Sequence, residues 1–169
     1  LADFNNKVYI DGINTTTSFS DRWVDRLNNN GSPMSKPDAE QYDPLGASLA
    51  YGTDLISFDN ALNQYFTRVN PTNPGGIRQR DRVSTNGGIN EYSLGVAANY
   101  ADNLYLGLSL NFPTLRFERE RVFAEDDESG DENNTFDFFE YTDRLNTDGV
   151  GFNAKLGAIY APAPNVRIG

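Results

Sequence analysis

The chain has 169 residues and a net charge of −10 at pH 7, with 14 Lys and Arg against 24 Asp and Glu, so it lacks the basic footprint of a nucleic-acid binder. Without His or Cys it has no imidazole base or ligand, no disulfide and no thiolate metal site. No run approaches the roughly 18 apolar residues of a membrane-spanning helix, and no charged-then-apolar signal segment opens the chain; a membrane β-barrel is not excluded, because only alternate strand residues must be apolar and its loops are polar.

Residues 1–12 contain Val8, Tyr9 and Ile10 and read as the end of a strand. Residues 13–83 carry no alternation. Two helices are predicted there. The first starts near Ser20-Asp21-Arg22-Trp23, with Ser20 as N-cap and Trp23 and Leu27 on one face. The second spans roughly Pro44 to Asn63, where Leu45, Leu49, Ile56 and Leu62 are mixed with Gly46 and Gly52. The stretch from Val69 to Gly76 is turn or loop, being rich in Pro, Gly and Asn.

Residues 84–117 read as a β-hairpin. Tyr92, Leu94, Val96, Ala98 and Tyr100 alternate with Glu91, Ser93, Gly95, Ala97 and Asn99. After the turn Ala101-Asp102-Asn103, Leu104, Leu106, Leu108, Leu110 and Phe112 form one face and Tyr105, Gly107, Ser109 and Asn111 the other. A period of two is a strand signal. Residues 118–147 read as an acidic loop. Its segment Asp126 to Glu132 falls short of an EF-hand, which needs Gly at position 6 and Glu at position 12; those places hold Asp131 and Asp137. Residues 148–169 give a third alternating strand, a short turn and the start of another. There Val150, Phe152, Ala154, Leu156, Ala158 and Tyr160 oppose Gly151, Asn153, Lys155 and Gly157.

The apolar faces are too continuous, and the opposite faces too thin, for an ordinary soluble sheet. The pattern predicts an all-β, transmembrane antiparallel β-barrel, lipid outside and lumen inside, with a partly helical extracellular insertion. Periplasmic turns are short and outer loops long, so the turns at 101–103 and 161–165 belong to the periplasmic side. Residues 13–83 and 118–147 then lie outside. From Tyr92 to Tyr100 is about 26 Å at ~3.3 Å per residue, or roughly 20 Å of height at a tilt of about 40°, close to the apolar band of such barrels. Tyr92, Tyr100 and Tyr160 are the predicted lipid-facing girdle. The competing reading is a soluble sandwich with Tyr at its rims. A closed barrel needs at least about eight strands, so further strands are expected from sequence beyond this stretch or from other chains.

Three stretches carry a resemblance to a known family: Asn90-Glu91-Tyr92-Ser93-Leu94-Gly95 through Asn99-Tyr100, then Asn103 to Leu108, then Gly149 to Tyr160. With their order of strand, short turn, strand, long loop, Gly-rich strand and short turn, they resemble the FadL/TodX family of Gram-negative outer-membrane transporters. The resemblance covers about 84–169. It implies a fourteen-stranded barrel with an N-terminal hatch in its lumen, which moves long-chain fatty acids or aromatic hydrocarbons inward by diffusion.

The outer insertion is unusually apolar. Trp23, Leu27, Leu49, Leu55, Ile56, Phe58, Leu62, Tyr65 and Phe66 can line a capture groove for an acyl chain, or can form the insertion's own small core; both readings stand. Glu91, Tyr105, Asn111, Asn153 and Lys155 face the lumen by parity. Lys155 either attracts a carboxylate or pairs with a group such as Glu91. Gly95, Gly107, Gly151 and Gly157 leave room for ligand or hatch, or relieve crowding where the wall curves. No nucleophile elbow or phosphate loop is present, so no enzymatic role, cofactor or metal is expected. The expected partners are outer-membrane lipid and hydrophobic small molecules such as fatty acids. The alternative is a FadL-type barrel serving as a protein-docking or secretion-accessory module, PorV-like in kind.

Overall fold

The computed structural model describes residues 2–131 and 133–169, and for Asn30 and Lys36 the backbone alone. Leu1, at the head of the first predicted strand, and Glu132, in the acidic segment, lie outside the described residues. The protein is mostly β with few helices. Its elements run β1 (Ala2–Asn14), α1 (Asp21–Asn28), α2 (Lys36–Tyr42), α3 (Ala47–Gly52), β2 (Ile56–Asp59), β3 (Gln64–Thr67), β4 (Ile77–Tyr100), β5 (Leu104–Asp127), β6 (Phe138–Val150), β7 (Asn153–Ala163) and β8 (Val166–Ile168). An antiparallel sheet has the order β1-β4-β5-β7-β8, with β6 also paired to β5, and β2 and β3 form a separate hairpin.

Strands β4 and β5 are each 24 residues long, longer at both outer ends than the apolar alternation marks. The added lengths alternate in charge rather than in hydropathy. Arg78 binds Asp11 at 2.8 Å, Arg80 binds Asp126 at 2.5 Å, Arg121 binds Asp81 at 2.6 Å, and Arg144 reaches Glu120 at 3.6 Å. The acidic connection therefore shortens to the residues between Asp127 and Phe138. The Arg78 guanidinium beside Asp11 holds its carboxyl below the usual carboxylate range.

The β4–β5 turn places Ala101 at φ 53° and Asp102 at φ 55°, with the Asn103 amide donating to the Tyr100 carbonyl at 3.3 Å. Two positive φ angles are the mark of a type I′ turn, whose twist suits a hairpin. Asp tolerates this conformation and Ala does not.

Between β5 and β7 the register is regular: Leu104 opposes Tyr160, Leu106 Ala158, Leu108 Leu156 and Leu110 Ala154. All four pairs fall on the predicted apolar face. The break between β6 and β7 has a local cause. Gly151 donates its amide to the Pro113 carbonyl at 2.8 Å, but Pro113 has no N–H to return. Asn111 still opposes Asn153 on one side of the break, and beyond it the Asp127 amide bonds the Asp137 carbonyl. Both contacts belong to one register, so the strand is interrupted without a slip and the faces are not exchanged.

Two compact units divide the chain. One takes the strand ends up to Lys7, Val83–Glu120 and Arg144–Gly169; the other takes Val8–Arg82 and Arg121–Asp143. In the second, Trp23, Leu27, Ala39, Ala47, Ala50, Ile56 and Tyr65 form the buried cluster, with Phe19, Val24, Met34, Tyr51, Leu55, Phe58 and Tyr141 packed against it. Helix α1 begins where Ser20 predicts it, yet Ser20 makes no side-chain cap bond. Its hydroxyl is committed to Ser18 Oγ at 2.7 Å and Thr67 Oγ1 at 2.6 Å. Helix α2 is properly capped: the Asp38 amide donates to Ser35 Oγ at 3.4 Å.

The predicted second helix is corrected. Only Ala47–Gly52 is helical; Asp54 then turns to φ 61°, and the rest becomes the β2–β3 hairpin. Ile56-Ser57-Phe58-Asp59 alternates, and Asn63 at φ 51° serves the turn. Asn28 fixes β3 to α1, accepting the Tyr65 amide at 2.7 Å and donating to its carbonyl at 2.9 Å.

Ala101→Gly is expected to raise stability by up to about 1 kcal/mol, the left-handed penalty less the chain entropy glycine adds. The urea midpoint measures it, and a lower midpoint would refute the turn assignment.

Candidate functional site

The sheet face that carries Leu104, Leu106, Leu108 and Leu110 has no core to cover it. Leu94 and Val96 are each 70% exposed and Leu156 83%. Every buried apolar side chain among the described residues lies in the other unit. Tyr92, Tyr100 and Tyr160, the predicted girdle, are all exposed. Phe112 and Phe152 meet at 5.4 Å between ring centroids, adjacent to the Pro113 interruption.

The opposite face is small and polar. Gly107 opposes Gly157, and a Cβ at either would meet nothing within 4 Å. Beside this bare floor Ser109 opposes Lys155. Asn111, buried, donates to Asn153 Oδ1 at 2.6 Å and accepts from Ser109 at 3.1 Å. Tyr105 opposes Ile159 and donates its hydroxyl to the Asp102 carbonyl at 3.3 Å. Glu91 and Lys155 form no ion pair among the described residues, since β5 lies between their strands. The register thus brings Tyr105, Asn111, Asn153 and Lys155 onto one face, with Glu91 on β4.

The residues predicted for a capture groove separate. Trp23, Leu27, Ile56 and Tyr65 are fully enclosed, and Leu55 and Phe58 pack onto them. Tyr65 stacks edge-on to Phe58 at 4.9 Å and gives its hydroxyl to the Met34 carbonyl at 3.0 Å. The four enclosed side chains are packing groups of the insertion, shut in where α1 and the β2–β3 hairpin close on each other, and Leu55 and Phe58 stay half-buried at their edge. Leu49 and Phe66 remain on the surface, as do Tyr42, Leu45 and Leu62.

One group was missed. Glu125 stands at the head of the acidic segment, which reads from sequence as a solvated loop, yet it is fully buried. It accepts Ser18 Oγ at 2.5 Å, the Phe19 amide at 2.6 Å and Gln79 Nε2 at 2.7 Å. Burial pushes its carboxyl above the usual range, against the lowering effect of these donors. Around it Phe19 stacks on Phe123 at 4.3 Å and meets Trp23 at 5.3 Å. Tyr141 closes on Trp23 at 5.7 Å, so the N-terminal end of β6 walls the insertion core. The only sequence signal was parity: Glu125 shares its side of β5 with Phe123 and Arg121. In the acidic connection the carboxylates bind local donors, Asp127 taking Ser129 Oγ at 2.6 Å and Asn134 Nδ2 at 2.7 Å.

No protein-family model, curated protein or solved structure matches this chain.

Leu27→Ala is expected to cost about 2–5 kcal/mol as a core cavity, and Leu49→Ala within about 0.5 kcal/mol of nothing, as a surface change. Denaturant unfolding followed by tryptophan fluorescence compares the two. Equal losses would return Leu49 to the core.

Proposed function

We propose that this chain is wall and outer cap of a transmembrane β-barrel in a Gram-negative outer membrane, and that the barrel passes hydrophobic molecules inward by diffusion. Long-chain fatty acids and hydrocarbons are the first candidates. One observation carries the reading: a register-aligned apolar face on β4, β5 and β7 that has no protein core to cover it. Left in water, Leu94, Val96 and Leu156, each at least 70% exposed, forgo most of the roughly 1.5–3 kcal/mol that full burial of such a side chain gives. Hydrocarbon on one side and a polar lumen on the other give both faces their solvent.

The FadL/TodX resemblance extends this to a fourteen-stranded barrel with a hatch, completed by strands outside this stretch. The membrane-spanning parts are then about residues 92–100, 104–112 and 152–160, and the insertion lies on the outer side. The bare lumen floor at Gly107 and Gly157 suits a solute or hatch segment that slides rather than docks. No chemistry on the solute and no energy source enter this reading.

A second reading draws on the insertion surface. Trp23 and Phe58 pack inward while Tyr42, Leu45, Leu49 and Leu62 face solvent, an apolar exterior in place of a groove. It favours a barrel of the same kind that docks a protein, as a secretion accessory does.

Two measurements test the proposal. Leu108→Lys is expected to cost about 2–4 kcal/mol of folding in a bilayer, as a charge on the lipid face near the midplane, while Ser109→Lys on the lumen face costs far less. Heat-modifiable migration after folding into vesicles reads the difference, and equal tolerance would sink the barrel. Lipid mass spectrometry on the full-length protein, purified in mild detergent from its own membrane, is expected to find a stoichiometric fatty acid or hydrocarbon. An empty barrel that brings down a protein partner favours the docking module instead.

A further inference from the structure

The buried carboxyl of Glu125 on β5 is bonded to the segment by which the insertion leaves β1, and nothing in the transport reading uses it. It joins three pieces of chain: Ser18 and Phe19 where the insertion leaves β1, Gln79 on β4, and its own strand β5. Gln79 is held in turn, accepting Asn14 Nδ2 at 3.0 Å and donating to the Thr17 carbonyl at 3.2 Å. Behind Ser18 a line of hydroxyls continues to Ser20 and Thr67, where the Val69 amide ends it at 3.1 Å.

Among the described residues, the charged groups around this joint are engaged elsewhere and none is paired with Glu125. On its own strand, Arg121 is bound to Asp81 of β4 at 2.6 Å. On α1, Arg22 lies over the Phe19 ring at 3.9 Å, and Asp21 turns its carboxylate to the Ser18 amide at 2.8 Å. Asp127 of β5 is occupied by Ser129 and Asn134. From β6 comes Tyr141, packed on Phe19 and Trp23. An ionised Glu125 is therefore an enclosed negative charge with three donors, no cation and a second carboxylate one residue-length away through Ser18. A neutral Glu125 fits the same positions. Its Oε2 proton goes to Ser18 Oγ, Ser18 gives its own to Ser20, and Ser20 to Thr67, so the hydroxyl line reverses by rotation of its protons, with no heavy atom displaced and the Thr67 proton turned away from Ser20. Oε1 still accepts Phe19 and Gln79.

We propose that Glu125 is a proton-operated clasp, closed on Ser18 and Phe19 while its carboxyl carries a proton and slackened when it is ionised. The insertion is then tight in mild acid and looser toward neutral and alkaline pH. The sign follows from the direction of the shift. Burial raises the folded-state value above that of an unfolded chain, so the stability contributed is fully present below the ordinary glutamate range. It is lost as pH rises through the folded-state value. Within that window each pH unit raises the opened population about tenfold, the slope of one linked proton. The clasp depends only on contacts of the insertion and stands whatever the barrel carries.

The chain's one tryptophan reports on the joint directly, since Trp23 meets the ring of Phe19 at 5.3 Å and is buried. Acrylamide quenching of Trp23 is followed from mild acid to alkaline pH in the full-length protein in detergent. The wild type is expected to show one titration, with quenching rising as pH rises. Glu125→Gln keeps the acceptor and supplies a donor to Ser18, so it is expected to stay protected at every pH. Asp21→Asn removes a like charge that helps to hold the Glu125 carboxyl up, so it is expected to move the wild-type titration downward without removing it. A flat wild-type profile overturns the proposal, as does a Glu125→Gln variant that keeps the wild-type titration or is open at every pH.

Discussion

A continuous register along β5 is the constraint on which the remaining structure depends. Side chains of a strand alternate, so a slip of one residue would exchange its two faces. Pro113 is the place where that could happen, because a missing donor invites a bulge. The chain instead drops one hydrogen bond and keeps count. Gly151 opposite accepts the close approach: a Cβ there would stand 3.0 Å from the Pro113 ring. Within one unit Tyr105, Ser109 and Asn111 share a side of β5, and within the other Phe123 and Glu125 share a parity. Every assignment of a residue to a face rests on this unbroken count.

The parts of the fold legible in the sequence are those where hydropathy alternates. Leu104 to Phe112 and Val150 to Tyr160 announced strands, and their pairing set the leucines against Tyr160, Ala158, Leu156 and Ala154 on one face. Helix α1 was legible through Ser20, Trp23 and Leu27. The extra length of β4 and β5 was not, because Arg78, Arg80, Arg82, Glu118 and Glu120 hide the period of two from any hydropathy scale. Alternating charge carries the same geometry, and paired strands let opposite signs face each other. The β2–β3 hairpin was missed for another reason: four-residue strands hold too few periods to outvote the glycine-dotted helical pattern around them.

The candidate site was legible by face and not by depth. Parity put Asn111, Asn153 and Lys155 together, but it could not say that Asn111 would be buried and bonded to Asn153. For the insertion, composition identified the apolar residues correctly and left open whether they faced a ligand or one another. Packing, which sequence does not show, encloses Trp23, Leu27, Ile56 and Tyr65 and sets the half-buried Leu55 and Phe58 against them. A buried carboxylate such as Glu125 is the hardest kind of residue to find from sequence. Acids are almost never fully buried, and this one heads a run of four, Glu125-Asp126-Asp127-Glu128, with Asp131 close behind, that argues for solvent.

The uneven distribution of enclosed side chains has an evolutionary consequence. Among the described residues, all buried apolar positions belong to one unit, so mutation is judged by two different standards along the same strands. On the sheet of the other unit most apolar side chains are exposed, so an exchange among Leu, Ile, Val and Phe at a given parity alters no enclosed volume. Drift there is fast in identity and slow in pattern. In the insertion each exchange changes a volume that neighbours must absorb, and drift is slow in both. Descendants of this chain should thus diverge first in the letters of their strands and last in the core around Trp23, Leu27 and Tyr65.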